Sequence, residues 1–243
     1  MMNKIISLLT LIIILIFTIN YLYDRHHSSK QFNTEVWGHR GGSKYLKLPD
    51  NSPAALKKIS NVGWKGIEID CYYDFKSKKI VISHDKKFQK FEGKYFFLNE
   101  IDIPSKVSIW LDFKNLNMLD KTEIIQVNKT LLELSKKNKI YVESQNIVNL
   151  FRIKKSGVKT VFNLSINSNN IVNIFFLKLT HIILNFDFIS ITSNQFDLVR
   201  KYFPLNIIFT FTLNDEKKIC DIINKKQAFV ILTKIPEKII DCY

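Results

Sequence analysis

Gly66-Ile67-Glu68-Ile69-Asp70-Cys71-Tyr72-Tyr73 is the stretch that decides the fold. Side chains along a strand alternate between two faces, so Glu68 and Asp70 share one face while Ile67, Ile69 and Cys71 take the other. The apolar face is built to pack against an outer layer. The two carboxylates stand side by side at the strand's far end, where they repel each other unless a cation lies between them.

Outward from this strand one pattern repeats: an apolar, β-branched run, a polar turn, then an amphipathic stretch. Strands are predicted near residues 35–40, 66–73, 108–114, 140–144, 159–165, 186–192, 206–214 and 228–233. Helices are predicted near 52–61, 119–138, 147–155, 170–180, 195–202 and 215–226. The second strand turns at Lys76-Ser77-Lys78 into a hairpin partner over 79–84. Eight strands in βα alternation across residues 34–243 predict an α/β fold, a compact (β/α)8 TIM barrel forming one domain. An open doubly wound sheet is the alternative. It normally carries a glycine-rich phosphate loop after its first strand, and neither G-x-G-x-x-G nor a Walker loop occurs here.

Residues 5–23 carry no charge, and the run from Leu11 to Phe17 is wholly apolar, with Lys4 before it and Asp24-Arg25-His26-His27 after it. About 20 apolar residues suffice to cross a bilayer as a helix. No small-x-small cleavage site follows, so residues 1–23 are expected to be an uncleaved signal anchor or transmembrane helix rather than a removed signal peptide. Residues 24–33 read as a polar tether, with Tyr21 and Tyr23 at the interface. Lys4 on one side is matched by Arg25 and Lys30 on the other; the expectation adopted is an extracytoplasmic domain.

The formal charge of +14 favours an anionic partner, a phospholipid surface or a phosphorylated substrate. It is equally the composition of a Lys-, Asn- and Ile-rich chain with lysines scattered over helix surfaces. No zinc-finger spacing or ribonucleoprotein motif is present, so nucleic acid is not the expected partner. Cys71, Cys220 and Cys242 show no paired spacing, and the fold is expected not to depend on disulfides; Cys71 reads as a buried structural thiol.

Chemistry gathers at the strand ends. Trp37-Gly38-His39-Arg40-Gly41, Glu68 with Asp70, Ile82-Ser83-His84-Asp85 and Trp110-Leu111-Asp112-Phe113-Lys114 each close an apolar run. In a barrel, catalytic groups occupy the C-terminal ends of strands. By parity Trp110, Asp112 and Lys114 share a face, so Asp112 joins Glu68 and Asp70 as a third oxygen ligand for one divalent cation, Mg2+ or Ca2+. Zinc is disfavoured because no Cys or His cluster accompanies these carboxylates. His39 and His84 end different strands and can face a substrate from opposite sides as acid and base. Arg40 and Lys114 can hold a phosphate, one through its planar fork and one as a point charge. These residues together read as a metal-dependent phosphodiesterase. Taken singly, each has a structural alternative: a strand-end histidine can be a surface or capping residue, and an E-x-D a solvated strand face. His181 reads as structural, and His26 and His27 as part of the tether. Trp110, Tyr72 and Phe211 could cage a choline headgroup or could simply be core.

At these residues the chain resembles the glycerophosphodiester phosphodiesterase family, whose barrel is shared by phosphatidylinositol-specific phospholipases C and sphingomyelinases D. His39-Arg40-Gly41 is similar to the family's His-Arg-Gly, Pro49-Asp50-Asn51-Ser52 to its Pro-Glu-Asn-Thr, Glu68 and Asp70 to its Glu-x-Asp, and His84-Asp85 to its His-Asp. Looser echoes are Phe211-Thr212-Leu213-Asn214 and Leu232-Thr233-Lys234-Ile235-Pro236. The resemblance implies two histidines as general acid and base, a divalent cation holding the phosphate, and a neighbouring substrate hydroxyl as nucleophile. Three departures stand out. Asp112 and Lys114 look like the Asp-x-Lys of the sphingomyelinase D branch, residues 85–107 are much shorter than the family's inserted subdomain, and Phe211 and Lys234 replace the usual Trp and Asp. The expected activity is therefore hydrolysis of a glycerophosphodiester or related phospholipid headgroup ester. A sphingomyelinase-D-like phospholipase forming a cyclic phosphate and a noncatalytic, membrane-anchored headgroup-binding barrel are the alternatives.

Overall fold

The computed structural model describes residues 32–164, 171–203, 206–236 and 240–242, together with six helical positions, Ser7, Thr10, Leu11, Ile14, Leu15 and Thr18. Most of the expected anchor and most of the tether lie outside the described residues. Among the described residues no helix is long and apolar enough to cross a membrane.

The strands are β1 (Glu35–Gly38), β2 (Gly66–Asp74), β3 (Lys79–Ile82), β4 (Ser108–Phe113), β5 (Ile140–Ser144), β6 (Lys159–Asn163), β7 (Phe188–Thr192), β8 (Ile208–Phe211) and β9 (Val230–Thr233). All but β3 run parallel, each beside the next, from β2 through β4 to β9. The sheet closes where β1 pairs with β9 from Glu35↔Val230 to Gly38↔Thr233 and with β2 at Gly38↔Ile67. Strand β3 folds back antiparallel on the outer half of β2, with Cys71 opposite Ile82. This is the eight-stranded barrel with the one hairpin that the alternation predicts.

Helices follow the strands where the periodicity places them: α1 (Pro53–Val62), α2 (Lys121–Ser135), α3 (Ile147–Lys155), α4 (Ile171–Leu184), α5 (Phe196–Tyr202) and α6 (Glu216–Asn224). Their starts are written in the sequence. Ser52, Asn146 and Asp215 each accept a backbone N–H as N-caps, and Asp120 with Glu123 forms a reciprocal capping box.

Two layers of core follow from strand parity. Ile67, Ile69 and Cys71 of β2 and Ile109, Leu111 and Phe113 of β4 pack outward beneath the helices, all buried. Inside the barrel, Trp37, Trp110, Tyr141, Val161, Phe188, Phe209, Val230 and Leu232 form a second cluster. Its rings meet edge to face, Trp110 and Phe209 at 4.9 Å and Tyr141 and Phe188 at 5.3 Å between centroids. Gly66 makes room for it: a Cβ there would lie 2.3 Å from the Trp37 ring. The inner cluster fills the barrel below its C-terminal mouth, so chemistry is confined to the strand ends above it.

Two expectations are corrected. Strand β1 stops at Gly38, not at residue 40, because Arg40 (φ 49°) and Gly41 (φ 69°) turn into the left-handed region and carry the chain off the sheet. Cys220 on α6 and Cys242 form a disulfide across a sequence separation of 22, with Cα atoms 5.0 Å apart. An odd cysteine count does not exclude one bridge; it leaves Cys71 as the unpaired thiol, buried as expected.

Candidate active site

The turn after β1 is the first wall of the site. Gly42, also at positive φ, lies so close to Trp64 that a Cβ would overlap the indole, and this packing fixes the chain direction at His39 and Arg40. The Arg40 backbone N–H donates to Glu68 Oε2 at 2.8 Å, and His39 Nε2 lies 3.8 Å from the same oxygen. Strand β1's end is thus tied to the inner face of β2.

Glu68 and Asp70 are buried, and the β2–β4 register sets Asp70 beside Asp112. Carboxylate oxygens of Glu68, Asp70 and Asp112 all fall within 4.8 Å of one another. Lys114 Nζ is 2.7 Å from Asp70 Oδ1 and also bonds Asp112. Arg40 Nε sits 3.4 Å from Asp70 Oδ2, is buried, and has no hydrogen-bond partner; its Nη1 donates to Asp50 Oδ2 at 3.1 Å. The guanidinium is held from behind while one donor points into the site.

His39, Arg40, Glu68, Asp70, Asp112 and Lys114 line one cavity of about 250 Å³ together with Trp110, Glu143, Phe211, Thr212 and Leu232. Of the seven residues expected from sequence, six meet there. His84 does not line it. It stands on the rim at the foot of the β3 return, 40% exposed, with Nδ1 2.8 Å from Asp85 Oδ1, close enough for its charge to act on Asp112. Of the three aromatics considered for a cage, Trp110 is fully buried and is core, Tyr72 donates to the His84 carbonyl at 3.3 Å, and Phe211 lines the cavity.

The electrostatics follow from burial and crowding. Burial, then Arg40, lowers the His39 pKa to about 4, so its imidazole is neutral at pH 7. Burial, then the charges of Asp70 and Asp112, drives Glu68 well above the carboxylate range. Asp112 is raised by burial against the pull of Lys114. Burial works against the Lys114 charge, yet Asp112 and Asp70 outweigh it and raise its pKa.

Two further residues belong to the site: Glu143, which no sequence motif marked, and Asn51, which entered only within Pro49-Asp50-Asn51-Ser52 and without a role. Glu143 stands opposite Asp112 in the β4–β5 register, buried, accepting from Trp110 Nε1 and Asn163 Nδ2. Burial, then Asp112, raises its pKa to about 8. Its inward parity with Tyr141 was the available clue. Asn51, at φ 56°, donates from Nδ2 to Asp70 Oδ2 at 2.9 Å and orients that carboxylate.

The donor set fits a hard divalent cation. Three carboxylates converge, their charges are mutually destabilising, and a second layer of Asn51 and the Arg40 amide orients two of them.

No family model matches the chain, and no curated protein matches its sequence. Solved structures do. A glycerophosphodiester phosphodiesterase from Parabacteroides distasonis superposes with TM-score 0.63 at 15% identity, covering 86% of this chain and 96% of that one. The fold is the one found in glycerophosphodiester phosphodiesterases. A phosphodiesterase from Oleispira antarctica, solved with the product sn-glycerol-3-phosphate, gives 0.62 at 15% identity over 84% of this chain and 94% of its own. A mutant tryptophan synthase α-subunit from Pyrococcus furiosus gives 0.53 at 14% identity, covering 84% of this chain and 88% of that chain. The architecture therefore extends beyond one chemistry, and the reaction must be argued from the site.

Proposed function

We propose that the protein is a divalent-metal-dependent phosphodiesterase acting on a glycerophosphodiester or a related phospholipid headgroup ester. The observation that carries this reading is the convergence of Glu68, Asp70 and Asp112 within 4.8 Å, in one cavity with His39, Arg40 and Lys114. The fold shared with glycerophosphodiester phosphodiesterases, one of them solved with sn-glycerol-3-phosphate, supports it. Glu68, Asp70 and Asp112 would hold Mg2+ or Ca2+, which when bound polarises a phosphoryl oxygen. Arg40, its guanidinium held by Asp50 and Asp70, would put a fixed positive charge beside a phosphate oxygen, and Lys114 a compact one next to it. His39, neutral at pH 7, takes the proton of the attacking hydroxyl; His84 on the rim gives one to the leaving oxygen.

A second reading shares the residues and differs in the end point: a sphingomyelinase-D-like phospholipase that stops at a cyclic phosphate. The observation favouring it is the Asp112-x-Lys114 arrangement, with Lys114 bonded to both Asp70 and Asp112. The chain is further proposed to be held at a membrane by residues 1–23 with the barrel on the extracytoplasmic side. The Cys220–Cys242 bridge supports that side, since such bonds persist in oxidising compartments.

The test is turnover of a glycerophosphodiester and lysolipid panel by the full chain with Mg2+, Ca2+ or chelator, beside His39→Ala. Metal-dependent cleavage lost in the folded variant supports the enzyme, and a cyclic product selects the second reading. No turnover from a folded protein that binds neither cation leaves the noncatalytic headgroup-binding barrel.

A further inference from the structure

Residues 75–97 form a basic, aromatic rim beside the site. The segment holds seven lysines against two acids, Asp85 and Glu92, among the 36 basic residues of the chain. All seven lysines are exposed. Lys79 is held by Glu100 at 2.7 Å, and Lys90 lies over the Tyr95 ring at 5.1 Å. Among the described residues the ammonium groups of Lys76, Lys78, Lys86, Lys87 and Lys94 form no ion pair, although the Lys76 backbone N–H donates to Asp74 Oδ1 at 3.2 Å.

The rim has a defined shape. The Phe91 and Lys94 backbones bond each other at 2.9 and 3.0 Å across a tight turn whose central residues, Glu92 and Gly93, both have positive φ. Phe88 packs between Tyr72 (5.8 Å) and Tyr95 (6.1 Å), and Phe91 against Phe96 (5.5 Å). Phe75 and Tyr95 remain 44% exposed. Its position is fixed as well: the Ser83 N–H donates to the Asp70 carbonyl at 3.1 Å, so the segment leaves the sheet at the level of the carboxylates, with His84 at its head.

We infer that this rim is a docking surface for an anionic phospholipid bilayer. Unpaired lysines meet the negative surface potential, their stems cover apolar surface, and the exposed rings of Phe75 and Tyr95 suit the headgroup layer. The cations are all lysine, and the ring cluster is mostly phenylalanine, a composition fitted to a lipid interface rather than to bidentate reading of nucleic-acid phosphates. Docked this way, the rim sets the mouth holding His39 and Asp70 against the bilayer. The inference does not depend on the catalytic reading.

Trp37, Trp64 and Trp110 are buried, so Tyr95→Trp in the full chain gives a fluorophore that reports the rim. The measurement is its emission, and the partition of the protein, on phosphatidylcholine vesicles with and without phosphatidylserine. The ratio of the two partitions cancels the apolar contribution of residues 5–23, and comparing variants that share Lys4 cancels its charge. We expect a blue shift that needs phosphatidylserine and is reversed by salt. Lys86→Gln, Lys87→Gln and Lys94→Gln together should cut the phosphatidylserine preference about a hundredfold, roughly fivefold per lysine. Lys121→Gln, Lys129→Gln and Lys137→Gln, on and beyond α2, should leave it nearly unchanged. An equal loss from both triples, no shift at position 95 on anionic vesicles, or a larger shift with a single-stranded oligonucleotide than with vesicles would each overturn the proposal. Unchanged thermal unfolding of both triples keeps the comparison valid, since all six lysines are exposed.

Discussion

Lys114 Nζ lies 2.7 Å from Asp70 Oδ1, so the central carboxylate of the cluster, 3% exposed, is neutralised by a residue of the same site. Removing the ammonium leaves Asp112 without its cation and Asp70 with Arg40 alone. Lys114→Met should destabilise the cation-free protein by about 2 kcal/mol, less than the roughly 3–5 kcal/mol of a fully buried pair because Lys114 is partly exposed. Mg2+ or Ca2+ should restore most of the loss. Thermal unfolding with and without cation measures both; a variant as stable as the parent in chelator contradicts the assignment.

Glu68 makes the opposite prediction. Its raised pKa means that above the ordinary carboxyl pKa the native state holds a proton the unfolded chain has released, so stability from this group falls as pH rises. Glu68→Gln removes the cost of taking up that proton and retains an acceptor for the Arg40 N–H. At pH 7 and without cation it should be more stable than the parent, yet gain no thermal shift from Mg2+ or Ca2+. A cation-induced shift equal to the parent's would remove Glu68 from the ligand set.

How far this site could be read from sequence depends on what each residue needs. Parity within one strand is local, so the sharing of a face by Glu68 and Asp70, and by Trp110, Asp112 and Lys114, was legible. Glu143 was not singled out, because Ile140 to Ser144 reads as an ordinary strand with a polar end; its role appears only when β5 lies beside β4 and brings it opposite Asp112. His84 was legible as a strand-end residue but not as a rim residue, since β3 runs antiparallel and its end is set by the hairpin rather than by barrel parity. The Cys220–Cys242 bridge spans β9, and nothing in its spacing shows that α6 returns to the C-terminal segment.

His181 on α4 carries a pH signature. Its Nε2 meets the Asn206 amide, its Nδ1 has no hydrogen-bond partner, and burial, then Lys154, lowers its pKa to about 4. Between that value and the unfolded pKa near 6.5 the unfolded state binds more protons, so this contribution is lost as pH falls through the window, up to about 3 kcal/mol. In urea unfolding across it, His181→Gln should remove this component of the slope, leaving that of His39, lowered in the same direction, set against those of Glu68 and Glu143, which are raised. An identical slope in the variant would refute the assignment.

Gly42 tests whether the first wall of the site is set by packing. It sits at φ 65°, and a Cβ would lie 1.9 Å from Trp64 Cζ3, an overlap that the buried indole cannot relieve by a small shift. Gly42→Ala should therefore cost about 3 kcal/mol, from overpacking together with the left-handed backbone. The damage should be local in its effect on chemistry: the turn carries His39 and Arg40, and the Arg40 amide is what ties it to Glu68. Trp64→Phe in the Gly42→Ala background opens space where the indole's outer ring stood and should recover part of the stability. The measurement is the double-mutant cycle in thermal unfolding, with cation affinity read alongside. Strict additivity of the two changes would show that Trp64 does not hold the turn, and the placement of His39 would then need another cause.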